Sequence, residues 1–146
     1  MVQVGVVLVL ALVAVVVAWV VRRRGVDDPE QGTSWTVPAQ LDRHDFPRPE
    51  APWLVAVFSS ATCLACAETW EKAQILESGE VAVTEVEAAA HRDLHHRYRI
   101  EAVPLVVVAD VEGLVQRSFI GPPTATDLWA AIAELRQPGS VPPGCA

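Results

Sequence analysis

The chain divides by hydropathy into an apolar block, a polar stretch and an alternating remainder. Residues 2–21 are an almost unbroken apolar run in which Gln3 is the only strongly polar member. As a helix, about 20 residues match the hydrocarbon thickness of a bilayer, so this run predicts a transmembrane helix. Trp19 near its end suits the interfacial belt. Its abundant valine is no obstacle, because backbone groups in lipid must bond within the segment and helix is the available solution. Residues 25–38 are polar and turn-rich, which predicts a linker. Residues 41–52 carry Phe46 and three prolines and are expected to pack on the domain edge without a regular element. A short extra strand is expected at 34–37.

From residue 53 the pattern becomes regular. Residues 53–59 are apolar and predict a buried strand. Residues 64–77 predict a helix, since Cys66, Trp70, Ala73 and Leu76 recur at helical spacing. Val81, Val83 and Val86 mark a strand over 80–86. Leu94 and Tyr98 share one face of a helix predicted over 88–99. Residues 105–109 are β-branched and apolar, the mark of a strand covered on both faces. A turn at 110–113 leads into a strand over 114–120, and so short a connection makes the pair an antiparallel hairpin. A last helix starts at 126–127 and runs to 136, with Leu128, Trp129, Ile132 and Leu135 as its apolar face. Pro138 and Gly139 end it, leaving a mobile tail. The order strand, helix, strand, helix, strand, strand, helix predicts a mixed sheet with helices on both faces. Its first two strands are parallel and joined by a right-handed crossover. There is no internal repeat.

Composition narrows the functional classes. The 146 residues, less the apolar block, leave room for one small domain. A formal net charge of -7 argues against nucleic acid as a partner. The absence of Asn and the single lysine, Lys72, fit a GC-rich coding bias and a bacterial source. Arg22, Arg23 and Arg24 directly follow the apolar run. A secretory signal peptide carries its positive charge before a shorter run and is followed by a small-residue cleavage site. The chain therefore predicts an uncleaved single-pass anchor over 1–24. The positive-inside rule puts the domain on the cytoplasmic face of the cell membrane; an extracytoplasmic domain is the alternative. The remaining boundaries are a linker and domain edge at 25–50, a folded domain at 51–137 and a tail at 138–146.

Cys63-Leu64-Ala65-Cys66 is the candidate chemistry, at the predicted strand-to-helix junction. A helix N-terminus supplies free N–H groups and a positive dipole end, which favour a thiolate on the first sulfur. The spacing lets the second sulfur, one turn in, reach back and close a disulfide. Zinc sites share this spacing but need further ligands, and the only other cysteine, Cys145, lies in the tail without a partner beside it. In a reducing compartment such a pair is catalytic rather than a permanent staple. His91 and His95 are four apart on a predicted helix, with His96 adjacent; beside Arg92, Arg97 and Arg99 they read as a solvated face, and no metal site is expected. Glu68 and Glu71 read as partners of the helix dipole. No cofactor is implied.

With these features in hand, residues 54–135 resemble the thioredoxin-like family. The likeness rests on the strand, Cys63-Leu64-Ala65-Cys66 and helix; on Tyr98-Arg99-Ile100-Glu101-Ala102-Val103-Pro104, similar to the family's signature before its central hairpin; and on the hairpin closing in Phe119-Ile120-Gly121. The resemblance implies a three-layer α/β thioredoxin-like fold behind the transmembrane helix. It implies a thiol–disulfide oxidoreductase acting on protein thiols and disulfides, with Cys63 attacking and Cys66 resolving. It implies a cis Pro104 against the sulfurs, Val103 offering its backbone to a client peptide, Thr62 before the first cysteine, and Gly121 keeping the docking groove open. Two departures stand out. Thr62 occupies the usual tryptophan position, and Val57 occupies that of a buried aspartate credited with moving the resolving thiol's proton. They point to a specialised exchanger, with a catalytically weak, membrane-tethered binding module as the alternative. An integral membrane protein is the expected redox partner, since tethering raises local concentration.

Overall fold

The computed structural model describes residues 35–140. The expected anchor at 2–21, the linker up to residue 34 and Cys145 lie outside the described residues. Among the described residues no helix is long and apolar enough to cross a membrane.

The domain runs β1 (Trp53–Ser59), α1 (Leu64–Gln74), β2 (Val81–Glu87), α2 (Arg92–Arg97), β3 (Leu105–Asp110), β4 (Val115–Ile120) and α3 (Ala125–Arg136). The strands form a four-stranded sheet in the order β2-β1-β3-β4. β1 and β2 are parallel, with Val57 level with Glu85 and Ser59 with Glu87. β1 and β3 are antiparallel, with Phe58 level with Leu105, and β3 pairs antiparallel with β4. The mixed sheet follows from the connections: a helical crossover returns the chain parallel, and a tight turn returns it antiparallel.

Strand alternation sorts the core into two clusters. Leu54, Ala56 and Phe58 of β1 point to one face with Val86, Leu105 and Val107, where Leu94 and Tyr98 cover them. Val55 and Val57 point to the other with Val106 and Val108, covered by Ala73 of α1, by Leu76 just beyond its end and by Leu128 and Ile132 of α3. Three layers result. The interior strands β1 and β3 are buried on both faces, which is why they read as unbroken apolar runs. The edge strand β4 exposes Gln116, Arg117 and Ser118, a polar rim that discourages further pairing.

Four local expectations need correction. The helix placed at 88–99 shrinks to Arg92–Arg97, because the Glu87 carboxylate accepts the N–H groups of Ala89 and Ala90 at 2.9 and 2.8 Å and holds that stretch in turns. The helix placed at 64–77 ends at Gln74, where the Leu76 N–H tightens onto the Ala73 carbonyl at 2.9 Å. The last helix starts at Ala125, since Thr124 and Asp127 form a reciprocal capping box. Finally, no strand forms at 35–37. Pairing begins later, at a single bridge between Gln40 and Leu114, flanked by Leu41 N–H to the Gly113 carbonyl at 2.8 Å.

The segment after that bridge is more structured than its prolines suggest. A 3-10 turn spans Arg43–Asp45, and Leu41 and Phe46 are buried in the core. Phe46 stacks on Tyr98. The Tyr98 hydroxyl donates to Asp45 and accepts the Asp42 N–H at 2.9 Å. Burial first, then the bond to Asp45, pushes its pKa to about 12. Arg43 is buried with them and donates to the carbonyls of Asp110 and Arg48 at 2.8 and 3.0 Å; burial draws its pKa below the ordinary value.

Candidate active site

β1 runs through the core and ends at Ser59, and α1 begins five residues later. The turn between them is short and bonded within itself: the Cys63 N–H donates to the Ser60 carbonyl at 3.0 Å. It is also tied to the neighbouring loop. The Ala88 N–H donates to the Ser59 carbonyl at 3.0 Å, and the Ala61 N–H donates to Glu87 Oε1 at 3.2 Å.

Cys63 is the N-cap of α1 and bonds to Cys66 in a disulfide. Its sulfur accepts the Cys66 N–H at 3.2 Å, so one of the helix's free donors already points at it. In the reduced protein that donor and the helix dipole act on whatever charge Sγ carries, and both favour a thiolate. The two sulfurs sit in unlike surroundings. Cys63 is half-buried, whereas Cys66 is 2 % exposed and opens the buried stripe of α1 that continues through Thr69 and Ala73. Leu64 between them is 88 % exposed, an apolar side chain presented to solvent beside the disulfide. Glu68 and Glu71 are exposed, and the first turn of α1 contains no acidic residue. They therefore stand away from the end where the dipole expectation put them.

Register gathers the other candidates at the same end of the sheet. Phe58 is level with Leu105, so Pro104 lies next to the exit of β1, the point from which the cysteine turn leaves. The Val103–Pro104 peptide is cis. Pro104 is buried and Val103 half-buried. Leu105 is level with Ile120, and the Gly121 N–H donates to the Pro104 carbonyl at 2.9 Å. Gly121 has φ +85° and open space where a Cβ would stand. Thr62 is exposed in the turn, its hydroxyl 3.3 Å from that of Ser60.

The histidines are dispersed. His91 and His96 are exposed, while a ring N–H of His95 donates to the Val86 carbonyl at 2.7 Å and its edge meets Phe58. Among the described residues no group of three or more His, Cys, Asp or Glu side chains is arranged to hold a metal.

Two carboxylates near the turn, Glu85 and Glu87, were not singled out in the sequence, which carries no local signal for the bonds they make. Glu87 gathers three backbone N–H groups, from Ala61, Ala89 and Ala90. The bonds from Ala89 and Ala90 chiefly hold its pKa below the ordinary carboxylate value of 4.5. The folded pKa being the lower one, the clamp's contribution is complete above the unfolded value and disappears as pH falls through the folded one. The melting-temperature gap between wild type and Glu87→Gln should therefore be constant near neutrality and shrink as the pH drops below about 4.5. A gap independent of pH throughout acid titration would refute the clamp. Glu85 is the second carboxylate: its Oε1 accepts a hydrogen bond from Ser59 Oγ at 2.7 Å.

No protein-family model and no curated protein matches the chain. Solved structures do. A thioredoxin mutant from Halobacterium salinarum NRC-1 is similar at 18% identity and TM-score 0.52, covering 59% of this chain and 76% of that one. The germline-specific thioredoxin Deadhead from Drosophila melanogaster is similar at 21% identity and TM-score 0.52, covering 60% of this chain and 84% of that one. Fasciola hepatica thioredoxin is similar at 23% identity and TM-score 0.50, with 57% and 81% covered. The fold is thioredoxin-like.

Proposed function

We propose that this chain is a membrane-anchored thiol–disulfide oxidoreductase that exchanges disulfides with protein substrates through Cys63 and Cys66. The observation that carries the reading is the inequality of the two sulfurs. Cys63 is the accessible one and receives the helix N–H at 3.2 Å. Cys66 is 2 % exposed and is joined to Cys63 by the disulfide. An accessible, stabilised thiolate is the group that meets a client; a buried thiol beside it is the group that finishes the exchange.

The Cys63 thiolate attacks one sulfur of a substrate disulfide. A bond forms between the two, the substrate's S–S bond breaks, and its other sulfur leaves as a thiolate. Cys66, deprotonated, then attacks Cys63 Sγ. The Cys63–Cys66 disulfide forms, the mixed disulfide breaks, and the substrate leaves with two electrons gained. Run backwards, the same steps oxidise a dithiol client. Val103 and Pro104 are the docking strand for the client's backbone. Thr62 and Gly121 flank it, and exposed Leu64 supplies apolar contact.

The anchor at 2–21 keeps this chemistry at the membrane surface, where an integral membrane protein is a suitable redox partner by effective concentration. The triple-arginine flank favours a cytoplasmic domain. A C-terminal reporter active on one side of the membrane reads that orientation directly.

The competing binding-module reading draws on Val57, an apolar residue under the redox helix. Catalytic reduction of insulin disulfides by dithiothreitol separates the two. The exchanger turns over many equivalents per chain, and a variant lacking both cysteines does not. Equal rates for the two proteins would leave only the binding module.

A further inference from the structure

The turn that delivers Cys63 has few ties to the rest of the domain. Within it the Cys63 N–H closes on the Ser60 carbonyl at 3.0 Å, and the Ser60 and Thr62 hydroxyls stand 3.3 Å apart. That closure makes residues 60–63 a β-turn with Ala61 second and Thr62 third. An N–H at the second position takes no part in closing a turn. The one at Ala61 donates to Glu87 Oε1 at 3.2 Å. Among the described residues this is the one hydrogen bond from residues 60–62 to another element.

Glu87 can bear on the turn because it is itself fixed. It is the last residue of β2 and is level with Ser59. Its second oxygen, Oε2, accepts the N–H groups of Ala89 and Ala90 at 2.9 and 2.8 Å. Its carbonyl accepts the His91 N–H at 2.8 Å, and the Ala88 N–H is held by the Ser59 carbonyl at 3.0 Å. Only an ionised carboxylate serves both arms, since both of its oxygens accept and neither carries a proton. β1 lies between β2 and β3 in the sheet, and Phe58 near its exit is level with Leu105. The cysteine turn therefore leaves β1 with its tether on the β2 side and Pro104 on the β3 side.

We propose that Glu87, acting through the Ala61 backbone, is a positioning residue that sets the Cys63 turn against the Val103–Pro104 docking strand. This rests on the exchange chemistry proposed above and deepens it. A client that docks by its backbone needs the strand and the sulfur in one fixed arrangement. A small reagent needs only the thiolate. Glu87 therefore governs the first encounter and not the second.

Reduced full-length protein carrying Cys66→Ser and Cys145→Ser has Cys63 as its one thiol and allows the two encounters to be compared. The rates measured are mixed-disulfide formation with insulin and alkylation by iodoacetamide. Their ratio cancels the thiolate fraction, so altered ionisation of Cys63 does not mimic a positional effect. In Glu87→Gln the amide oxygen serves the nearer donors, Ala89 and Ala90, and the amide NH2 then opposes the Ala61 N–H. Ala61→Pro removes the same bond from the other end, and proline suits the second position of a turn. Each should lower the insulin-to-iodoacetamide ratio about tenfold, as for a small misplacement of reacting groups. The double variant should fall no further than either single one, because both break one bond. An unchanged ratio in either variant overturns the proposal, including one in which both rates drop together, the mark of a merely structural role. Losses that multiply in the double variant overturn it as well. If one variant does not fold, the ratio of the other decides. Should the protein with Glu87 and Ala61 intact be alkylated yet form no mixed disulfide with insulin, the exchange chemistry itself would fall, which keeps the two failures distinct.

Discussion

Serine in place of Cys63 should remove disulfide exchange down to the uncatalysed background, a loss on the order of a thousandfold or more, as for deletion of a nucleophile. Serine in place of Cys66 should do something different: the chain should react once and stay joined to its client. The reason is the asymmetry at the start of α1. Cys63 takes the Cys66 backbone N–H on its sulfur, and that donor is a main-chain group, so it survives the Cys66→Ser change. The attacking thiolate therefore keeps its support in Cys66→Ser while the group that ends the mixed disulfide is gone. Non-reducing electrophoresis and intact mass of each variant, made in a Cys145→Ser background so that the tail thiol forms no adduct of its own, read the outcome after exposure to a disulfide-bonded client. A stable adduct with Cys66→Ser and none with Cys63→Ser is expected. Adducts of equal yield from both variants would mean that either sulfur can attack, and the assigned order would fall.

Gly113→Ala should be the most damaging small substitution in the hairpin, and Gly121→Ala its control. Both glycines have positive φ, +82° and +85°, so each alanine meets a left-handed backbone penalty of about 1–2 kcal/mol. Their surroundings differ. A Cβ at Gly121 meets open space, whereas one at Gly113 would stand 1.8 Å from the Leu41 carbonyl oxygen. That oxygen belongs to backbone and cannot swing aside as a long side chain could. The Leu41 N–H also bonds the Gly113 carbonyl at 2.8 Å, so relief of the clash pulls apart the contact that seats Leu41 and the following turn. Denaturant titration should give a Gly113→Ala destabilisation at least about 2 kcal/mol beyond that of Gly121→Ala, in the range reserved for named structural faults. Equal losses would show that the Gly113 turn shifts freely and that the 39–46 segment does not depend on it.

The elements most legible in the sequence were those with strong periodicity and a single solution. Residues 53–59 and 105–109 are so apolar that only strands covered on both faces suit them, and the described sheet has them side by side in its middle. The cysteine pair was legible because two cysteines three positions apart at a helix start are close enough to join, as the Cys63–Cys66 disulfide does. The boundaries that shifted did so through side chain-to-backbone bonds. Glu87 unwinds the start of the α2 segment by capturing two N–H groups, and Thr124 moves the start of α3 forward by forming a capping box with Asp127. Such bonds compete with helix formation on equal terms, and hydropathy does not register them. The 41–52 segment was underestimated for a similar reason: its prolines forbid long elements but do not prevent Leu41 and Phe46 from entering the core.

By itself the chain determined which residues are apolar enough to be interior, where two cysteines meet a helix start, and that a hairpin follows Pro104; each depends on neighbours within a few positions. Tertiary structure alone decided that Pro104 and Gly121 share the exit of β1, and that Ser59 and Glu85, 26 positions apart, bond at 2.7 Å beneath the helix. The physical reason is parallel pairing. It sets β2 beside β1 only after a helical crossover has closed, so the partner of a β1 side chain is named by sheet register, which hydropathy along the chain does not encode.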